Sequence, residues 1–151
     1  MKNIIFITGA SSDIGIALIK SIKEKCIVVA HYNTSKLKLL KLQNDIKNTI
    51  IPVKADFSSE RSIKDMLDYI ETKIGIPNKI IHLAAPKFKN LRFKNIDWGN
   101  FQNEINISLG SITIILNRFL PRIPKERKGR VITMLSSVVL GVPPIKFSLK
   151  I

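Results

Sequence analysis

Five short apolar runs limit what this chain can become: Ile4 to Thr8, Ile27 to His31, Ile50 to Val53, Lys79 to Ala84 and Val131 to Ser136. None alternates apolar with polar residues, so each reads as a strand covered on both faces. The intervening segments carry helical periodicity instead. Ile63, Met66, Leu67, Ile70 and Ile74 recur at i, i+3, i+4 and i+7, with Ser58 placed to cap the helix and Glu60 in its first turn. Phe101, Ile105, Leu109, Ile112, Leu116 and Phe119 form a longer stripe before Pro121, and residues 13–23 and 36–47 supply two shorter helices. Strands alternating with helices predict an α/β fold built on a doubly wound parallel sheet with right-handed crossovers. No repeat or linker interrupts the pattern, so residues 1–151 are expected to form one domain.

Composition excludes several classes of protein. With 45% hydrophobic residues the chain can fill a core, and its one cysteine, Cys26, allows neither a disulfide framework nor a Cys-based metal site. A cytoplasmic location is expected. The opening MKNIIFITGA has too short an apolar run for a signal peptide, and no run has the length of a membrane span. The net charge of +14 is extreme, but the lysines are scattered, and no nucleic-acid-binding pattern accompanies the local clusters at 35–41 and 86–94. A solvated basic surface is the expectation, with no nucleic acid as partner.

Chemistry concentrates at the ends of the strands. Thr8-Gly9-Ala10-Ser11-Ser12-Asp13-Ile14-Gly15 follows the first strand and opens the first helix. In that context backbone N–H groups at a helix N-terminus can face a pyrophosphate, with Gly9 permitting the tight turn and Gly15 close helix–strand packing. The plainer alternative is a strand-to-helix turn with Asp13 as N-cap. An acid at the end of the second strand would bind an adenosine ribose diol. His31-Tyr32-Asn33-Thr34-Ser35-Lys36 stands there instead. No carboxylate in it repels a 2′-phosphate, and Asn33, Thr34, Ser35 and Lys36 can donate to one, which favours NADP(H) over NAD(H). Alternatively, Thr34 or Ser35 caps the second helix.

Taken in order, these segments resemble the short-chain dehydrogenase/reductase family. TGASSDIG is similar to that family's Thr-Gly-x-x-x-Gly-x-Gly loop, with Asp13 at the middle glycine. Asp56, followed by Phe57, resembles the acid after strand three that contacts adenine. His82-Leu83-Ala84-Ala85 stands where the family has Asn-Asn-Ala-Gly, placing Ala84 and Ala85 beside the cofactor. Asn106 matches the asparagine of the catalytic set, and Ser137 the serine that holds the substrate oxygen. The resemblance implies a Rossmann-like sheet in the order 3-2-1-4-5 and a reductase using NADP(H) on a small carbonyl or secondary alcohol, of 3-oxoacyl or sugar type. It also implies a homo-oligomer contact through helix 101–123.

The family's proton-transfer pair is expected as Tyr-x-x-x-Lys about 13 residues beyond Ser137. The residue at that spacing is Lys150, and the two tyrosines are Tyr32 and Tyr69. The chain therefore reads as the N-terminal part of a classical-type member, incomplete at its C-terminal end, with an exposed fifth strand and poor solubility. An alternative from another class is a non-catalytic nucleotide-binding or interaction module that keeps the adenosine half-site. His82 is expected to be a satisfied structural residue, Trp98 to pack against Phe101, and Pro143-Pro144 to stiffen a loop.

Overall fold

A computed structural model describes residues 3–87, 93–123 and 129–135. Its sheet has the predicted order, β3-β2-β1-β4-β5, with every neighbouring pair parallel. The strands are β1 (Ile4–Thr8), β2 (Ile27–Tyr32), β3 (Thr49–Lys54), β4 (Lys79–His82) and β5 (Arg130–Thr133). Pro52 sits in β3, at one edge of the sheet, where its missing N–H breaks no ladder on the outer side.

Alternate side chains of the central strands serve two cores. Ile4 and Phe6 of β1 join Val29, Ile80, Ile63, Leu67 and Phe119 on one face. Ile5 and Ile7 join Val28, Ala30, Ile19, Leu39 and Leu42 on the other. The first core is closed by α3 (Glu60–Tyr69) and α5 (Ser111–Phe119), the second by α1 (Asp13–Ser21) and α2 (Lys36–Gln43). Phe119 meets Phe6 edge to face, with ring centroids 6.2 Å apart. Arg118 ties α5 to α3 through an ion pair with Asp68, and to the helical turn that follows α3, Ile70–Ile74, through one with Glu71.

The helix caps differ in detail from the sequence reading. Ser12, not Asp13, caps α1, its Oγ accepting the Gly15 N–H at 3.1 Å. Ser59, not Ser58, caps α3, because Ser58 turns back to the Asp56 carboxylate. Ser35 occupies the N-cap position of α2 but makes no capping bond. The long stripe begins earlier than Phe101: α4 (Trp98–Ile105) starts on Asp97, whose carboxylate accepts the Asn100 N–H at 2.7 Å. Between α4 and α5 the helix widens into an i→i+5 turn over Asn106–Gly110. β5 is exposed throughout its four residues, and Ile132, Met134 and Leu135 are each more than half exposed. Among the described residues, no helix is long and apolar enough to cross a membrane.

Candidate dinucleotide site

The C-terminal ends of β1, β2, β3 and β4 open onto a cleft of about 700 Å³, at the place where the chain reverses its winding direction between β1 and β4. In open α/β sheets this is where ligands are held. Of the residues read from the sequence, Gly9, Ser11, Ser12, Ile14, Asn33, Thr34, Ser35, Phe57, Ala84 and Ala85 line it.

The turn after β1 is built around two glycines. Gly9 has φ +63°, and a Cβ there would stand 2.9 Å from the Ala84 N; at Gly15 a Cβ would stand 2.5 Å from the Ala10 O. Gly9 thus lets the turn lie against the end of β4, and Gly15 lets α1 lie against the turn. The amides of Gly9, Ala10, Ser12, Gly15 and Ile16 all have partners within the protein. Among the described residues, the Ser11, Asp13 and Ile14 amides have no partner; they lie at the positive end of α1, beside lining residues Ser11, Ser12 and Ile14. This is a fitting cradle for a pyrophosphate.

Thr8 supports the cradle from beneath. Fully buried, it accepts the Leu83 and Ala84 N–H groups at 3.1 Å each, which leaves its hydroxyl proton for His82 Nδ1 at 2.9 Å. The opposite nitrogen, His82 Nε2, then donates to the Ser108 carbonyl at 3.2 Å, inside the wide turn. Burial pushes the His82 pKa down, against the pull of that carbonyl. His82 is the satisfied structural residue expected of it.

The other residues read from the sequence take different places. The Asp13 side chain projects into solvent and pairs with Lys38 at 3.0 Å. Lys36 is exposed at the start of α2 and does not line the cleft. Asp56 is also exposed outside it; hydrogen bonds from the Ser58 hydroxyl and N–H hold its carboxyl below the usual range. Asn106 lies on the wide turn with its Oδ1 accepting from Gln102 Nε2 at 2.9 Å, and it does not line the cleft; α4 presents Asn100, Asn103 and Glu104 there. Trp98 contacts Phe101 as expected, with ring centroids 5.5 Å apart, yet remains 73% exposed. Ser137, Pro143, Pro144 and Lys150 lie outside the described residues.

The sequence reading missed Asn100, Asn103 and Glu104 on α4, and it missed His31. His31 is buried at the cleft floor, stacked on Phe57 with ring centroids 3.9 Å apart, and both burial and hydrogen bonding fix its state. The signal was present: a histidine closing an otherwise apolar strand.

A doubly wound sheet with a glycine turn and a helix N-terminus facing its switch point defines a nucleotide-binding α/β protein. The family model for short chain dehydrogenase matches residues 3–148, and the chain belongs to that family. It is 25% identical over 134 residues to an NADPH-dependent pterin aldehyde reductase of Arabidopsis thaliana, covering 87% of this chain and 55% of that protein. It is also 25% identical over 153 residues to post-translational flagellin modification protein A of Campylobacter coli, covering 97% and 59%. Among solved structures, a short-chain dehydrogenase/reductase from Serratia marcescens superposes with a TM-score of 0.83 at 16% identity, covering 95% of this chain and 59% of that one. The chain thus spans less than two thirds of the length of these proteins.

Proposed function

We propose that this chain forms the dinucleotide-binding part of a cytoplasmic oxidoreductase that uses NADP(H) in preference to NAD(H) on a carbonyl or secondary-alcohol substrate. The observation that carries the reading is the cleft wall at the end of β2: Asn33, Thr34 and Ser35 line it, and no carboxylate stands there. A ribose 2′-phosphate gains donors on that wall and meets no like charge. The amides of Ser11, Asp13 and Ile14 would hold the pyrophosphate, and Phe57 offers an apolar edge to an adenine. When bound, the nicotinamide supplies or accepts hydride. The relative named as NADPH-dependent supports the same choice. The buried, unpaired Cys26 is in keeping with a reducing compartment.

Within these 151 residues the phenols lie elsewhere: Tyr32 is buried in β2 and Tyr69 sits on α3, and neither lines the cleft. That favours a second reading for this polypeptide taken alone, nucleotide binding without turnover. Titration of the purified chain with NADPH and NADH, followed by nicotinamide fluorescence, tests both. Tighter binding of NADPH by about threefold or more is expected, with no oxidation in the presence of small aldehydes. Equal affinities would sink the NADP(H) preference, and steady oxidation would sink the second reading.

A further inference from the structure

The chain has two histidines, and they flank the end of β1 from opposite sides: His82 on β4, bonded to Thr8, and His31 on β2, bonded to Gly9. His31 does more than fill space. Its backbone carbonyl accepts the Ala10 N–H at 2.9 Å, and its ring Nδ1 accepts the Gly9 N–H at 3.0 Å. An N–H donor on Nδ1 requires that nitrogen to be unprotonated, so the ring hydrogen is on Nε2 and is donated to the Ala55 carbonyl at 3.1 Å. Phe57, lying 7° from parallel, fixes the plane of the ring. Three strand ends are thereby joined through one imidazole in one tautomer: the turn after β1, β2 itself and the residue after β3.

Two consecutive amides of the turn are consequently directed inward, onto the same residue. With Gly9 held there on one side and against Ala84 on the other, the peptide planes that follow have little freedom. Among the described residues, the amides of Ser11, Asp13 and Ile14 are the ones left without a partner, at the mouth of the cleft that Ser11 and Ile14 line. We propose that His31 is the positioning residue of the anion cradle, acting through its Nδ1 bond to the Gly9 amide to orient the turn that receives the dinucleotide's pyrophosphate. This rests on the dinucleotide reading above and adds to it the residue that sets the shape of the cradle. Position 31 accordingly tolerates only side chains that present an acceptor to Gly9.

The two ring nitrogens can be imitated separately. An asparagine Oδ1 reaches about where Nδ1 sits, and a glutamine amide about where Nε2 sits, so His31→Asn keeps the Gly9 bond and His31→Gln keeps the Ala55 bond. NADPH affinity at pH 7.5 and urea stability are measured for the wild-type chain, both variants and His31→Ala. The expected result is affinity within about threefold of wild type for His31→Asn, and about tenfold or more weaker for His31→Gln and His31→Ala, while all three lose stability. Affinities that follow stability rather than the Gly9 bond would overturn the proposal, as would wild-type binding by His31→Ala. If His31→Ala does not fold, the Asn and Gln pair decides. If the wild-type chain binds neither NADPH nor NADH, the dinucleotide reading fails first. Amide exchange at Gly9 then judges the clamp by itself: slow exchange in wild type and His31→Asn with fast exchange in His31→Gln upholds it, and equal exchange in all three overturns it.

Discussion

Acidification should weaken this fold through His31 well before its carboxylates titrate. Burial pushes the His31 pKa from 6.5 down to about 4; the Ala55 carbonyl opposes this, and His82 adds a smaller push in the same direction. In the unfolded chain the imidazole titrates near its ordinary value. Between those two values the unfolded chain binds a proton that the folded chain refuses, so stability falls as pH falls from 6.5 and levels off below about 4. At 1.36 kcal/mol for each tenfold, the whole window is worth about 3 kcal/mol, of which about 2 kcal/mol is lost by pH 5. The cost has a structural meaning, since a proton on Nδ1 replaces the acceptor of the Gly9 amide with a donor. His82 contributes with the same sign. Asp56 acts in the same direction at lower pH: its lowered pKa adds stability that is present above its ordinary value of 3.8 and is lost as pH falls below it. The assay is urea unfolding at pH 7.5, 6.5, 5.5 and 5 for wild type and His31→Gln. The common effect of the large positive charge cancels in the difference between the two proteins. Wild type should lose about 2 kcal/mol more than the variant across that range, with m unchanged. Parallel pH profiles would refute the argument that His31 is held neutral in the fold.

Other substitutions test the supports of the cradle. Thr8→Val removes the hydroxyl partner of the Ala84 amide and the His82 ring, while the Leu83 amide keeps the Thr8 carbonyl, and should destabilise the fold by about 1–3 kcal/mol, read from urea midpoints. Gly15→Ala drives a Cβ against backbone at Ala10, so α1 must shift; a loss of about 2–4 kcal/mol and of NADPH binding is expected. Asp13→Asn removes a carboxylate beside the cradle and releases Lys38, so NADPH should bind about two- to fivefold tighter at low salt, with the gain fading as salt is raised in a fluorescence titration.

Sequence alone determined the order of elements in this protein. Apolar runs and helical spacing are local signals, and they were enough for five strands, the flanking helices, the parallel 3-2-1-4-5 order once the family pattern was seen, and the position of the Gly9 and Gly15 turn. Most of the cleft wall was equally legible, because strand ends next to a glycine turn form the mouth of such a sheet. Tertiary structure decided what individual polar side chains do. Ser12 rather than Asp13 caps α1, since only the serine hydroxyl turns back onto the Gly15 amide, while the Asp13 carboxylate is drawn outward to Lys38. Asn106 is carried past the cleft by a helical turn widened where His82 takes the Ser108 carbonyl. The two histidines show why such assignments escape a linear reading. His31 meets Gly9 across 22 residues, and His82 meets Thr8 across 74. Parallel pairing sets those distances, and with them which ring nitrogen faces a donor, so a protonation state and a role arise that neither residue has in its own segment.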